Sequence, residues 1–170
     1  NIFKSSKRYG FKIIEDASHA IGGKYNNNFV GNCEFSSVTV FSFHPVKIIT
    51  TGEGGCATTN DSEIGRRMLL LRSHGITKDP KEFKSLPKGK WIYEQQLLGF
   101  NYRMSDIHAA LGISQLKRLE SIVKARNYKL KIYKKLLKNL PIDLFEPPKN
   151  VISPIHLAVV KFKNRDSIFH

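Results

Sequence analysis

Two short apolar runs end in residues that can do chemistry. Phe11 to Ala17 (FKIIEDA) is apolar and β-branched until it delivers Glu15 and Asp16. Ser37 to Phe43 (SVTVFSF) runs into His44-Pro45-Val46-Lys47 and then a glycine-rich TTGEGG. Runs of this length and composition read as buried strands. In open α/β sheets, ligands sit beyond the carboxyl ends of the strands, so Asp16 and Lys47 are the first residues to weigh as a site.

The rest of the pattern builds around these strands. Residues 22–34 (GGKYNNNFVGNCE) are rich in Gly and Asn and read as turns about a short hairpin. Cys56 to Thr59 makes a third short strand. Asn60 followed by Glu63 resembles a capping box that opens a helix through IGRRMLLLRSH, stopping at Gly75. Residues 76–90, with Pro80, Pro87 and Gly89, form a polar loop. From Ala109 through Ile113, Leu116, Val123, Leu130, Tyr133 and Leu137, apolar residues recur on one helical face, weakening at Arg126 and Asn127. Leu140-Pro141 ends that helix. A composition change at Glu146-Pro147-Pro148 and a new strand from His156 (HLAVVKF) divide the chain into 1–140 and 141–170, with the boundary within 141–153.

Charge and cysteine usage exclude some classes. Twenty-eight Lys and Arg against fourteen Asp and Glu give +14, yet 41% of the residues are apolar and 11% aromatic, enough for a packed core rather than a disordered basic tail. No apolar run is long enough to span a bilayer, and NIFKSSKRYGFKII lacks the features of an export signal. Cys33 and Cys56 are too few and too far apart for a disulfide framework or a structural zinc site. We read them as reduced thiols in a cytoplasmic protein with no metal. Nine basic residues against Glu120 alone between Lys117 and Lys138 raise a nucleic-acid binder as a rival. The same stretch carries the apolar stripe, so a solvated helix face is the simpler reading.

A Lys just after a strand, in a loop with glycines, can serve as a Schiff-base nucleophile. A carboxylate at a neighbouring strand end can pair with a pyridinium nitrogen, as in pyridoxal phosphate (PLP) sites. Spacing alone leaves both open to blander readings: a surface lysine and a turn-forming aspartate.

The ordered segments EDASHAIGGKY, FSFHPVKIITTGEGGCATTND, LRSHGIT and LGFNYRMSDIHAALGISQLKRLE resemble the DegT family of PLP-dependent nucleotide-sugar aminotransferases over nearly the whole chain. The resemblance implies a type I PLP-dependent transferase fold (α/β, aspartate aminotransferase-like), with part of the large-domain sheet, a long linking helix and the start of a small domain. It implies that Lys47 holds PLP as a Schiff base and moves the substrate proton. Asp16 would bind the pyridine nitrogen, His19 would lie on the cofactor's phenolic-oxygen side, and Ser42 would bond the phosphate. Asn101 would reach the cofactor phosphate of a partner subunit, making the working unit a homodimer. His44 could touch substrate or shape the loop.

Within the family, FHPVK and TTGEGG look most like the branch that aminates C4 of UDP-4-keto-6-deoxy-hexosamines, with glutamate as amino donor, on the way to pseudaminic acid. A PLP-dependent sugar dehydratase is the nearest rival, but it carries a His where Lys47 stands. Family members are roughly twice this length and open with phosphate-binding Gly-Thr or Ser residues and a ring-stacking aromatic. We therefore expect this chain, which begins at Asn1 and closes on RDSIFH, to be an internal piece of a longer protein.

Overall fold

The computed structural model describes residues 2–85 and 89–163. Pro87, assigned above to the loop, and the closing RDSIFH lie outside them. Helix α1 (Ile2–Tyr9) leads into β1 (Ile14–Asp16), followed by the hairpin of β2 (Lys24–Tyr25) and β3 (Asn28–Phe29). Asn26 and Asn27 both have positive φ, 47° and 68°, as a tight two-residue hairpin turn demands. The pivotal strand is β4 (Val38–Ser42), flanked by β1 in parallel and by β5 (Gly55–Thr58) antiparallel. The β2–β3 hairpin thus lies within the crossover between the parallel strands β1 and β4.

Register decides which side chains share a face. Glu15 pairs with Thr39 and Asp16 with Val40. Paired residues on neighbouring strands project to the same side and side chains alternate along each strand. Asp16, Val40 and Ser42 therefore belong to one face, while Glu15, Thr39 and Phe41 belong to the other. Thr39 is fully buried and donates to Glu15 Oε2 at 3.0 Å. The main core forms from Ala17, Phe41, Phe43, Ile48, Ile49 and Val123, with Ala17 just after β1 and Phe43 just after β4.

Helix α2 (Ser62–Arg72) corrects the capping assignment. Its N-cap is Asp61, whose carboxylate accepts from the backbone N–H groups of Glu63 and Ile64, while Asn60 donates its amide to Asn32 O instead. The helix ends at Arg72, and the chain turns through His74 and Gly75, both with positive φ. Strand β6 (Ile76–Thr77), a 3-10 turn over Pro80–Glu82 and β7 (Glu94–Gln95) follow.

The single long helix of the periodicity is two: α3 (Asp106–Leu116) and α4 (Leu119–Leu136), parted at Lys117-Arg118. Each piece packs on its own neighbour. Gly112 of α3 lies so close to Thr51 that an added Cβ would come within 2.8 Å of it, whereas Leu119 and Val123 of α4 pack against the backbone at Gly22. Beyond α4, β8 (Asp143–Leu144) pairs with β10 (Val160–Lys161), and β9 (Val151–Ile152) joins the β2–β3 hairpin through β2. The strand expected from His156 is confined to Val160–Lys161. His156 itself lies in the loop before it.

Candidate active site

The parallel β1–β4 pair puts two carboxyl ends at one edge of the sheet, where Asp16, His19 and Lys47 meet. Asp16 closes β1. Its exposed carboxylate accepts from the backbone N–H and the hydroxyl of Ser18, at 2.9 and 2.5 Å. These bonds, aided by the positive charge of His19 and Lys47, hold its pKa below the usual carboxylate value. An anion is thereby maintained at the strand end.

Lys47 follows β4 in a loop that the chain ties to itself. Phe43 O accepts from Thr51 N at 3.0 Å and from Thr50 Oγ1 at 2.9 Å, and Lys47 N donates to His44 O at 2.9 Å. Ile48 and Ile49, 4% and 2% exposed, anchor the loop in the core immediately after Lys47. The amine thus sits on a fixed base rather than a free surface loop. Gly54 closes the loop by accepting from Phe43 N at φ 147°, where a Cβ would strike Thr51 and Met104.

Ser42 ends β4 on the Asp16 face, and its Oγ accepts weakly from His44 N at 3.4 Å. His44 is turned across the loop: its Nδ1 accepts from Val46 N and its Nε2 lies 3.7 Å from Glu53 Oε1. Its partners in this chain are therefore loop groups. Exposed Asn101 is positioned from a different direction. It bridges to Ser73 while Phe100 N donates to Leu71 O and Tyr102 N donates to Arg72 O, stitching the GFNYR segment onto the end of α2. That approach requires two glycines, because a Cβ on Gly75 would lie 1.8 Å from Leu97 O and one on Gly99 would lie 2.2 Å from Gly75 N. Asp16, His19 and Lys47 are brought together, with Ser42 on the same face. Asn101 stands apart on its own segment.

One residue at this edge was not singled out from the sequence. The His156 ring packs on the exposed His19 ring with centroids 4.2 Å apart and planes 41° apart. Burial depresses its pKa, with the charges of His19, Lys47 and Arg126 acting in the same direction. Its loop is clamped to α4: Arg126 donates to Ile155 O and His156 O at 3.1 and 3.4 Å, and Asn127 donates to Ser153 O at 2.9 Å. Ile155 has φ 50°, a conformation that costs a β-branched residue about 1–3 kcal/mol. The weakening of the apolar stripe at Arg126-Asn127 was the available signal, since those polar side chains are spent on this loop. Among the described residues no cluster of His, Cys, Asp and Glu suits a metal ion, both cysteines are free, and no helix is long and apolar enough to cross a membrane.

Known proteins resemble this chain over most of its length. Residues 1–169 match the model of the DegT/DnrJ/EryC1/StrS aminotransferase family. A UDP-4-amino-4,6-dideoxy-N-acetyl-beta-L-altrosamine transaminase of Campylobacter jejuni is 42% identical over 130 residues, which span 76% of this chain and 32% of that protein. The solved structure of Helicobacter pylori PseC, an aminotransferase involved in the biosynthesis of pseudoaminic acid, superposes with a TM-score of 0.84 at 34% identity, covering 96% of this chain and 42% of that one. The PLP-form of a putative sugar aminotransferase, Spr1654 from Streptococcus pneumoniae, gives 0.77 at 28% identity, covering 94% and 39%. The chain spans about a third of the length of the curated relatives it matches. Its α/β fold is that of the PLP-dependent aminotransferases, and the chain belongs to the DegT/DnrJ/EryC1/StrS aminotransferase family.

Proposed function

We propose that the full protein is a PLP-dependent sugar aminotransferase that moves an amino group from an amino acid, glutamate in our reading, to C4 of a UDP-4-keto-6-deoxy-hexosamine. The observation that carries this reading is the placing of Asp16, held as an anion mainly by Ser18, and Lys47 beyond the carboxyl ends of the parallel β1–β4 pair, where the lysine's charge also reaches the carboxylate. The donor set fits the cofactor: an ionised carboxylate for the ring nitrogen, an amine for the aldehyde and a strand-end hydroxyl for the phosphate. The Campylobacter relative's name supports the sugar class.

PLP, when bound, supplies an electron sink for the pair freed as a substrate carbon loses its proton. Ionised Asp16 keeps a proton on the ring nitrogen through a charge-assisted hydrogen bond. The Lys47 amine accepts the proton from the donor's α-carbon and, in the second half-reaction, returns one to C4 of the sugar. Ser42, on the same sheet face as Asp16, would hold the phosphate, and His19 would hold the ring's oxygen side. His44, paired to Glu53, shapes the loop that carries Lys47.

Asn101 serves the second subunit. Leu98, Phe100, Tyr102 and Ile107 around it are 90%, 52%, 72% and 82% exposed, an apolar surface suited to a second copy of the chain. We place the enzyme in the cytoplasm, with no nucleic acid, membrane or metal among its partners. The test is glutamate-dependent amination of the 4-keto sugar by the full-length protein. Lys47→Ala is expected to lower the rate by about a thousandfold or more, and full turnover in that variant refutes the role.

A further inference from the structure

Lys47, Asp16 and Ser42 belong to the first part of the chain, yet the ring that packs on His19 comes from the part beyond the linking helix. The structure spends a good deal on putting it there. Ile155 is held at positive φ, Arg126 and Asn127 reach out of α4 to hold three carbonyls of the 153–156 segment, and Ser153 Oγ accepts from Ile155 N at 3.3 Å. Pro154 and Ile155 are buried, and β9 fixes the approach of the loop by pairing with β2. The reward is not a hydrogen bond, because His156 Nδ1 is sealed from solvent with no partner among the described residues. An orphaned buried nitrogen in a clamped, strained loop calls for an explanation other than local stability.

We propose that His156 is a positioning residue of the cofactor site: the clamped 153–156 loop presses its ring against His19 and fixes the plane of that ring beside Asp16. The inference rests on the functional reading above. His19 stands three residues past Asp16 on an exposed turn, and among the described residues its ring contact is with His156. Without that contact the His19 ring would turn freely about χ1 and χ2, and a flat cofactor lying beside it would lose one wall. The brace also ties the segment beyond α4 to the pocket, so the two parts of the chain meet where the chemistry occurs.

The test uses the full-length protein with PLP itself as the probe, in His156→Leu, His156→Phe and His156→Gln. Leu keeps the volume without the flat ring, so a collapsed cavity does not confuse the result. PLP affinity and the visible circular-dichroism band of bound PLP report the pocket. The ring resonances of His19, in protein labelled at histidine and measured without PLP, report the contact itself. We expect His156→Leu to weaken PLP about tenfold, reduce the dichroic band and move the His19 resonances, with His156→Phe restoring all three. His19→Ala should cause a similar loss, to which His156→Leu adds little.

Unchanged affinity and dichroism in His156→Leu would overturn the proposal. So would rescue by Gln but not Phe, which would make His156 a hydrogen-bonding group. A wild-type protein that takes up no PLP refutes the functional reading instead, and is recognised because the His19 resonances still respond to His156→Leu.

Discussion

The Asp16 carboxylate accepts two hydrogen bonds from Ser18, one from the backbone and one from the hydroxyl, before any ligand is considered. The turn that follows β1 therefore holds Asp16 as an anion. Removing the hydroxyl in Ser18→Ala takes away the largest cause of its lowered pKa, so that pKa should rise towards its ordinary value of 3.8. A carboxylate with a depressed folded pKa contributes above its unfolded value and loses that contribution as pH falls through the folded one. In Ser18→Ala the acid loss of PLP binding should begin at higher pH than in wild type, as read from absorbance titrations of the full-length protein.

Asp61 satisfies two N–H groups at the start of α2, those of Glu63 and Ile64. Asp61→Ala is expected to cost about 1 kcal/mol. Asn60→Ala, at the position suggested by the capping-box spacing, removes only a bond to Asn32 O and should cost less. Denaturant unfolding of the two variants gives the comparison.

Gly75 has φ 69° and no room for a Cβ, with Leu97 O in the way. Gly75→Ala should therefore destabilise by about 3 kcal/mol or more, and the backbone that carries Asn101 should shift with it. Unfolding measurements report the first effect. In the homodimer proposed above, weakened subunit association at low protein concentration would report the second.

His156 is half-buried with its Nδ1 sealed from solvent, and this burial, with positive charge from His19, Lys47 and Arg126, disfavours its protonation. Its folded pKa lies below 6.5, so the stability it contributes is present above pH 6.5 and lost as pH falls through the folded pKa. His156→Phe has no proton to gain and no orphaned nitrogen. Its melting temperature should exceed that of wild type, by a margin that widens as pH falls below about 6.5.

Much of this arrangement is legible in the residues. Strand β4 follows from its short β-branched run and is partly buried as expected. The first run forms strand only over Ile14–Asp16 and is exposed there, because β1 lies at the edge of its sheet. The hairpin follows from the Asn-rich turn. Asp16 stands out because it ends a strand, and Lys47 because it lies in the glycine-flanked loop that follows one. Parallel pairing then carries them to the same edge, which no local pattern could state. The helical break at Lys117-Arg118 was not legible, because the apolar stripe runs through it while the packing partners change from Thr51 to Gly22. Asp61 outcompeted Asn60 as a cap because the latter is drawn to Asn32 O. His156 was hidden for a similar reason: its place beside His19 depends on long-range bonds from Arg126 and Asn127, visible in sequence only as an interruption of apolar periodicity.

The proposed covalent attachment of PLP to Lys47 is checked by treating the full-length protein with PLP, reducing it with borohydride and locating the pyridoxyl group by peptide mass spectrometry. A single modified lysine, Lys47, is expected, with no stable adduct in Lys47→Ala. Pyridoxyl label on another lysine, with Lys47 unmodified, would contradict it.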